Sequence, residues 1–510
     1  MPVDYNLVIL GGSLAARYAA ALARCFQARV ALIEPQSFQT SYSGIEMDLA
    51  IAQTLQRSVQ QQALVAPYID EDDHSLLLQQ MMRDNRLNPM DYPPFAQLLQ
   101  DCSLDGLAAK GVDVIIGRDN PETGEFCRRP HLGVVANRRT LRSHAYLVAP
   151  ASTPIIPSIP GLSTVPYLTT DTLLQRSLSP NSRIAIIGQS SRSIEFTQAL
   201  AQAGMTVTLI IENTQFQPEA DWAVAQWTLT LLESLGVTIV TGAKVTGVEA
   251  LNDVISLQVE EGNKANRLSS IHVDHLIVTT PRRAELSSLN LEAVNLHPVD
   301  GYIPVRSTLR TSHRRIYACG EAIAPLDNPA VARYQAECAV KNALFLPTRR
   351  WSDRSSANVT HTIPSYGHVG LTEKQAKQQY HQKAFSLTIP LETEELGCFD
   401  STVWNSPIAT FLTVIVHHNG TILGAHCTGQ ASEELLALLA MAIHQQWLVE
   451  RLSSANASIL HTANPSTSGF CANVLHRLLL KWESERVNRI QNRRNRLELL
   501  MNWRRDWSRG

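Results

Sequence analysis

The chain lacks the cysteine pairs that mark zinc sites and disulfide frameworks. Its eight cysteines are scattered, with no CxxC or other paired spacing: Cys25, Cys102, Cys127, Cys319, Cys338, Cys398, Cys427 and Cys471. Because unpaired cysteines are typical of a reducing compartment, we predict a cytoplasmic protein without a metal site.

Long apolar runs are also absent. A bilayer-spanning helix needs about 18 or more consecutive apolar residues, and the longest uncharged stretch is broken by Pro150, Pro154, Pro157 and Pro160. The N-terminus has no basic segment, and the apolar run at residues 7–10 is too short for a signal sequence. We therefore expect neither a signal peptide nor a transmembrane helix.

Net charge is nearly absent as well. The chain has 44 Lys and Arg against 46 Asp and Glu, a formal charge of -2, which argues against a dedicated nucleic-acid binder. Its hydrophobic fraction of 44% and charged fraction of 18% are those of a globular protein. A length of 510 residues predicts about three domains.

Residues 6–34 follow a strand, turn, helix, strand pattern that predicts a dinucleotide-binding βαβ unit. A helix N-terminus without bulky side chains suits a phosphate, and an acid at the end of the second strand suits a ribose. Ser13 and Ala16 replace the later glycines of the usual GxGxxG pattern, so the pattern is only partly kept. The candidate cofactor-binding residues here are Gly11, Gly12, Ser13, Ala16 and Glu34.

A second copy of the pattern occupies residues 182–212, with predicted strands at 183–187 and 207–212. Only the first glycine, Gly188, is kept, because Ser190 and Ser193 stand at the other two glycine positions. Glu212 ends the second strand and would repel a ribose 2′-phosphate, which favours NADH over NADPH. Arg192 lies within the turn and could weaken that preference.

Further landmarks follow in a fixed order: residues 279–283 (Thr-Thr-Pro-Arg-Arg), 311–312 with 316–321 (Thr-Ser and Ile-Tyr-Ala-Cys-Gly-Glu), 369–373 (Val-Gly-Leu-Thr-Glu) and 422–425 (Ile-Leu-Gly-Ala). Together with the two turns, they resemble the FAD-dependent pyridine nucleotide-disulfide oxidoreductases. The last two segments resemble the dimerisation domain of the glutathione reductase, dihydrolipoyl dehydrogenase and mercuric reductase branch. The resemblance covers residues 5 to 470 approximately.

The resemblance implies an α/β fold with two Rossmann-like domains, one for FAD and one for NAD(H), followed by an α+β dimerisation domain, with a basic helical tail beyond it. The expected boundaries are 1–175 and 296–350 for the two parts of the FAD domain, 176–295 for the NAD domain, 351–470 for the dimerisation domain and 471–510 for the tail. Gly320 and Glu321 join the expected FAD ligands, Glu321 as acceptor from a ribityl hydroxyl. Gly188, Glu195 and Glu212 are expected on the nicotinamide side of a homodimeric flavoprotein.

The family's redox-active cysteine pair has no match here. No cysteine lies between Cys25 and Cys102, and ungapped spacing places Tyr42 and Met47 where the family has its thiols. Glu195 matches the glutamate that pairs with a lysine near the flavin, but no lysine precedes Lys110, and Arg57 is an unaligned substitute.

The family's C-terminal acid–base pair is also missing, since Asn464 and Gly469 stand in the corresponding segment and neither moves a proton. His461 reads as a surface or capping histidine. Cys319, next to the second FAD motif, and Cys471 read as packing residues and not as nucleophiles. We therefore assign no catalytic residue, and disulfide, lipoamide and mercuric-ion reduction by the family mechanism are disfavoured.

The C-terminal end carries an excess of positive charge. Residues 477–509 contain ten basic and four acidic side chains, and apolar residues recur at approximately helical spacing, with tryptophans at 482, 503 and 507. An amphipathic helix of this kind suits an anionic membrane surface or an acidic protein partner. The alternative is a helix packed against its own subunit, and nucleic acid is a poorer third. The tail would make a cytoplasmic protein peripheral at a membrane.

Three functions remain open from the sequence. The first is hydride transfer from NADH to FAD and on to an acceptor that is not a disulfide. The second is a catalytically degenerate flavin- or nucleotide-binding assembly or docking protein. The third is a thiol or metal-ion reductase, similar to dihydrolipoyl dehydrogenase or mercuric reductase, that uses displaced cysteines.

Overall fold

The fold is described from a computed structural model of the chain. It describes residues 3–35, 101–117, 124–128, 131–173, 178–179, 181–214, 216, 221–252, 254–262, 267–326, 328–352, 356–391, 410–429, 431–452 and 471–489. Tyr42, Met47, Arg57, His461 and Asn464 lie outside these residues, so the expectations attached to them remain predictions.

The first predicted βαβ unit forms the centre of a parallel five-stranded sheet. The apolar run 7–10 lies in a strand of six residues. All four residues of this run are fully buried, as expected of a strand covered on both faces. In sheet order the strands are β18 (Ile316–Ala318), β7 (Ser143–Val148), β1 (Tyr5–Leu10), β2 (Val30–Pro35) and β3 (Asp113–Gly117). Every neighbouring pair is parallel.

Two helices pack on one face of this sheet: α1 (Leu14–Cys25) and α5 (Pro329–Leu344). Ala16, Ala19 and Ala20 of α1 are fully buried, because their small side chains let the helix approach the strands closely. The opposite face packs beneath an antiparallel sheet of β4 (Glu125–Cys127), β5 (Gly133–Ala136) and β6 (Arg139–Leu141). A short helix, α2 (Leu104–Ala109), precedes β3.

The second predicted βαβ pattern, at residues 182–212, forms part of a separate parallel sheet. Its strands in order are β12 (Thr238–Thr241), β11 (Thr206–Ile211), β10 (Arg183–Ile187), β16 (His275–Val278) and β9 (Tyr167–Thr169). Helix α3 (Ser191–Gln202) packs on this sheet, and α4 (Trp222–Ser234) follows β11 in the chain. An antiparallel meander adds β13 (Ala243–Leu251), β14 (Val254–Glu261) and β15 (Arg267–Val273), and β8 (Ser152–Pro154) pairs with β17 (Arg282–Ala284). Two parallel sheets with helices confirm the predicted α/β class.

The remaining sheet is antiparallel in its main pairings and belongs to the C-terminal part of the chain. Its order is β19 (Asn358–Thr360), β20 (Tyr366–Gly370), β23 (Ile422–Thr428), β22 (Thr410–His417) and β21 (Ala384–Leu391). The helices here are α6 (Glu373–Tyr380), α7 (Ser432–His444) and α8, residues 471–489. Within the described ranges, 3-10 turns occur at Leu162–Thr164, Ser287–Leu289, Leu291–Val294, Gly320–Ala322 and His381–Lys383.

The chain divides into two units. The first contains Met1–Gln217, Leu229–Ser352 and Thr360–Thr362, and the second contains Pro218–Thr228, Asp353–Val359 and Ile363–Gly510. The finer boundaries expected from the sequence remain predictions. Among the described helices, none is both long and apolar enough to cross a bilayer.

Candidate functional site

Three loops meet at one edge of the first sheet. They follow β1, β7 and β18, which are neighbouring parallel strands, so their carboxyl ends lie side by side, where ligands bind in open α/β sheets. Ser13 Oγ of the first loop donates to the Ala149 carbonyl of the second at 2.8 Å. Ser152 Oγ of the second donates to Glu321 Oε2 of the third at 2.6 Å. The structure therefore brings the expected FAD residues to one place.

The turn between β1 and α1 has room only for its glycines. A Cβ on Gly11 would lie 2.7 Å from Leu32 Cδ1, and Gly12 has φ +115°, a conformation that side chains rarely adopt. Ser13 caps α1 by accepting from the Ala16 N–H at 3.2 Å. Its hydroxyl is thus used within the protein, which explains how a serine is accommodated at a glycine position.

Glu34 ends β2 and is fully buried. Its Oε1 accepts from Arg17 Nε at 3.1 Å and from Arg17 Nη2 at 2.5 Å, whereas Oε2 has no hydrogen-bond partner among the described residues. Burial raises the pKa of Glu34, and Arg17 and the Gly12 N–H oppose that rise. A buried acceptor oxygen beside a helix N-terminus fits a ribose hydroxyl, which is a donor.

Glu321 belongs to a buried polar network. Arg282 is its centre: Nη2 donates to the Ser152 carbonyl at 2.7 Å, Nε to Ser152 Oγ at 3.0 Å and Nη1 to Asp171 Oδ1 at 2.8 Å. The Glu321 Oε1 atom is 3.9 Å from Arg282 Nε. Gly320 has φ +69°, and its N–H donates to Gln335 Oε1 at 2.8 Å. Sequence reasoning assigned no role to Ser152, Asp171 or Arg282, although Arg282 stands in the Thr-Thr-Pro-Arg-Arg segment that carried the resemblance.

The second turn follows β10 and is equally tight. A Cβ on Gly188 would lie 2.3 Å from Thr279 Oγ1, which belongs to the segment after the neighbouring strand β16. Ser190 and Ser193 form a capping box at the start of α3, and Ser193 Oγ is 2.8 Å from Thr279 Oγ1. The two serines that replace glycines are therefore both bonded within the turn.

The residues expected on the nicotinamide side occupy two different places. Gly188 and Glu212 follow the neighbouring strands β10 and β11, and Glu212 is exposed. Glu195 is fully buried on α3, where it forms an ion pair with Arg192 and accepts from the His361 backbone N–H at 2.8 Å. The cation that pairs with Glu195 therefore comes from its own helix, a local i, i+3 contact that the sequence could have indicated.

The described cysteines are all free thiols. Burial raises the pKa of Cys319 to about 12 and that of Cys471 to about 11, so each is a thiol at neutral pH and a poor nucleophile. Among the described residues, no group of three or more His, Cys, Asp or Glu side chains could hold a metal ion.

Helix α8, which begins the expected tail, packs on its own unit. Trp482 is 3% exposed and stacks on Phe385 of β21, with ring centroids 5.9 Å apart. Arg489 lies 3.5 Å from the centroid of the same Phe385 ring, and Arg486 pairs with Glu450 at 2.7 Å. Residues 471–489 therefore form a helix packed against its own subunit, which is the alternative to docking on a membrane or an acidic partner. Residues 490–510 lie outside the described part of the chain.

Comparison with known proteins agrees with this architecture. Residues 5–343 match the family model for pyridine nucleotide-disulphide oxidoreductases, and residues 356–463 match the model for the dimerisation domain of such proteins. A mercuric reductase from Staphylococcus aureus is 26% identical over 370 residues, 72% of this chain and 64% of that protein. A mercuric reductase from Bacillus cereus is 25% identical over 449 residues, 86% of this chain and 67% of that protein. The alignments thus span about two thirds of these relatives.

The crystal structure of LpdA from Mycobacterium tuberculosis has the same fold. It aligns with a TM-score of 0.74 over 93% of this chain and 99% of LpdA, at 21% sequence identity. At that identity the likeness supports the fold alone.

Proposed function

Because this chain belongs to the pyridine nucleotide-disulphide oxidoreductase family, we propose that it is an FAD-dependent NADH oxidoreductase whose electron acceptor is not a disulfide. The observation that carries the proposal is the meeting of the Gly11 turn, the Ser152 loop and Glu321 at the carboxyl edge of the first sheet. FAD, when bound, supplies hydride-accepting and electron-transferring chemistry that protein side chains lack.

The first site holds its ligand with backbone and carboxylate groups. Gly11 and Gly12 keep side chains out of the turn, so the N-terminus of α1 can carry a diphosphate. With FAD bound, Glu34 Oε2 would accept a hydrogen bond from the adenosine ribose, and Glu321 would accept one from the ribityl chain. The Ser152 hydroxyl and the Arg282 guanidinium hold the Glu321 carboxylate in place, the first by a hydrogen bond and the second by its charge.

The second site selects NADH. The exposed Glu212 at the end of β11 repels a 2′-phosphate, and Arg192 offers no compensating charge because it is buried and paired with Glu195. Gly188 keeps a side chain out of this tight turn, and the N-terminus of α3 would carry the diphosphate of the nicotinamide nucleotide.

The acceptor is not a disulfide because the chain has no dithiol where the family places one. The sequence between Cys25 and Cys102 contains no cysteine. The raised pKa values of Cys319 and Cys471 also argue against a thiol or metal-ion reductase that works through either of these two cysteines. We therefore do not propose mercuric-ion reduction, the activity in the names of the two relatives, for this chain.

Anaerobic addition of NADH to the purified chain tests the proposal. We expect the flavin absorbance to bleach within the mixing time of a spectrophotometer, with NADPH much less effective. Thiols counted in denaturant should number all eight before and after reduction, because no disulfide is opened. A bound flavin that stays oxidised at millimolar NADH would refute hydride transfer, and a gain of two thiols would refute the absence of a redox disulfide.

A second candidate is a nucleotide-binding assembly or docking protein without turnover. It is favoured by the three serines, Ser13, Ser190 and Ser193, that stand at glycine positions and use their hydroxyls inside the protein. The same spectrum separates the candidates, since a docking protein would bind FAD without bleaching. In either case we propose a homodimer, on the support of the dimerisation-domain match at residues 356–463.

A further inference from the structure

The ion pair between Arg17 and Glu34 lies where the first dinucleotide fold receives a ribose. Arg17 is in the first turn of α1, and Glu34 ends the adjacent strand β2. Their side chains are only 8% and 0% exposed. The pair is thus enclosed by the βαβ unit and is not a surface salt bridge.

The geometry of the pair is one-sided. An arginine usually grips a carboxylate with two parallel hydrogen bonds, one to each oxygen. Here Nε and Nη2 both donate to Oε1, at 3.1 and 2.5 Å. Oε2 is left buried without a partner among the described residues. An ionised carboxylate oxygen only accepts, so its natural partner is a donor such as a ribose hydroxyl.

Arg17 also favours the ionised form of Glu34. Burial favours the protonated form of a carboxyl group, and burial is the largest influence on the Glu34 pKa. The groups that face Glu34 and favour its ionised form are the Arg17 guanidinium on α1 and the Gly12 N–H of the turn. Without Arg17 the carboxyl would hold its proton to higher pH and offer an O–H where an acceptor is needed.

We propose that Arg17 is a positioning residue of the first dinucleotide site, which holds Glu34 by Oε1 and thereby presents Oε2 to the adenosine ribose. The inference rests on the proposed function, because it requires FAD at this site. Arg17 acts through Glu34 and does not itself bind the ligand.

The test compares FAD affinity across pH in full-chain variants, measured by quenching of flavin fluorescence. FAD and riboflavin are suitable probes, because riboflavin lacks the adenosine ribose. The wild-type FAD affinity should change less with pH than that of Arg17→Met, since Arg17 opposes the rise in the Glu34 pKa that burial causes. In Arg17→Met the FAD affinity should fall about tenfold at pH 6 and recover as the pH rises through the elevated Glu34 pKa. Riboflavin affinity should be unchanged.

Three variants make the result specific. Arg17→Lys keeps the positive charge and should restore most of the affinity at pH 6. Arg17→Met combined with Glu34→Gln should be weak at every pH, because no titrating group remains. Arg24→Met is the matched control: Arg24 lies on the same helix but bonds to the carbonyls of Ala28 and Lys110, so its loss should leave FAD binding unchanged.

The outcomes separate the two proposals. FAD binding that is equal and pH-independent in wild type and Arg17→Met would overturn the role of Arg17 and leave the proposed function standing. A pH-independent loss shared equally by Arg17→Met and Arg17→Lys would show a packing role and would also overturn it. Absence of FAD and ADP binding in the wild-type chain would overturn the proposed function and, with it, the inference.

Discussion

At the scale of single residues, the turn after β10, which contains Gly188, and the turn after α3, which contains Gly204, differ in how strictly they require glycine. Gly188 is held at φ +155° with Thr279 Oγ1 2.3 Å from the site of a Cβ, whereas Gly204, at φ +84°, has nothing within 4 Å. Gly204→Ala should cost about 1–2 kcal/mol of unfolding free energy, the price of a positive φ alone. Gly188→Ala should cost at least about 2 kcal/mol more, because the added methyl overlaps Thr279. Urea denaturation followed by circular dichroism checks both, and equal losses would contradict the close contact.

Whether a site residue can be predicted from the sequence depends on how far along the chain its contacts lie. Gly11, Glu34 and Gly188 follow from strand, turn and helix patterns within about 30 residues, which hydrophobic periodicity reports directly. The partners of Glu321 could not be found this way, since Ser152 is 169 residues away and Arg282 joins it from another strand. Arg17 was overlooked for a different reason: an alanine-rich helix gives no local sign of which residue faces Glu34.

At the scale of elements, the predicted strands match the structure closely where apolar runs are unbroken. The strand expected at 183–187 is observed as Arg183–Ile187, and the strand expected at 207–212 is observed as Thr206–Ile211. The helical spacing of apolar residues predicts the tail helix. It does not predict what the helix packs against, because an amphipathic face does not reveal what covers it. In the structure, the apolar face of residues 471–489 packs into the hydrophobic core of the second unit.

Helix α8 is therefore expected to stabilise the second unit. Trp482 is 3% exposed and packs on Phe385, whereas Leu480 on the same helix is 58% exposed. Trp482→Ala should lower the unfolding free energy by roughly 3–5 kcal/mol, as for other buried aromatic residues. Leu480→Ala should stay within about 0.5 kcal/mol of wild type. Chemical denaturation measures the difference, and two equal, small losses would mean that the helix is only loosely attached.

At the scale of the whole molecule, charge is distributed unevenly. Residues 477–510 carry ten basic and four acidic side chains, a balance of +6, which leaves -8 on residues 1–476. The packed helix ends the described chain at residue 489, and residues 490–510 hold six of the basic and two of the acidic side chains. If the tail docks on an anionic surface, this last segment is the one that remains to do so.

Deletion of residues 490–510 tests docking without disturbing the packed helix. The full chain should sediment with vesicles that contain phosphatidylserine, the shortened chain should remain in the supernatant, and raised salt should release the full chain. Neutral phosphatidylcholine vesicles are the control. Equal sedimentation of the two chains would exclude the segment as a membrane anchor.

The strand order of the first sheet has a consequence for synthesis on the ribosome. Strand β7 has β18, Ile316–Ala318, as its outer neighbour, while the whole second parallel sheet lies between Tyr167 and Val278. The nascent chain can therefore complete the second dinucleotide fold while the first, although begun earlier, still has an open edge at β7. An unpaired strand edge is a template for wrong pairing. The β7 edge is thus without its partner strand from the synthesis of Val148 until that of Ala318, and pairing with another chain is a hazard during that interval.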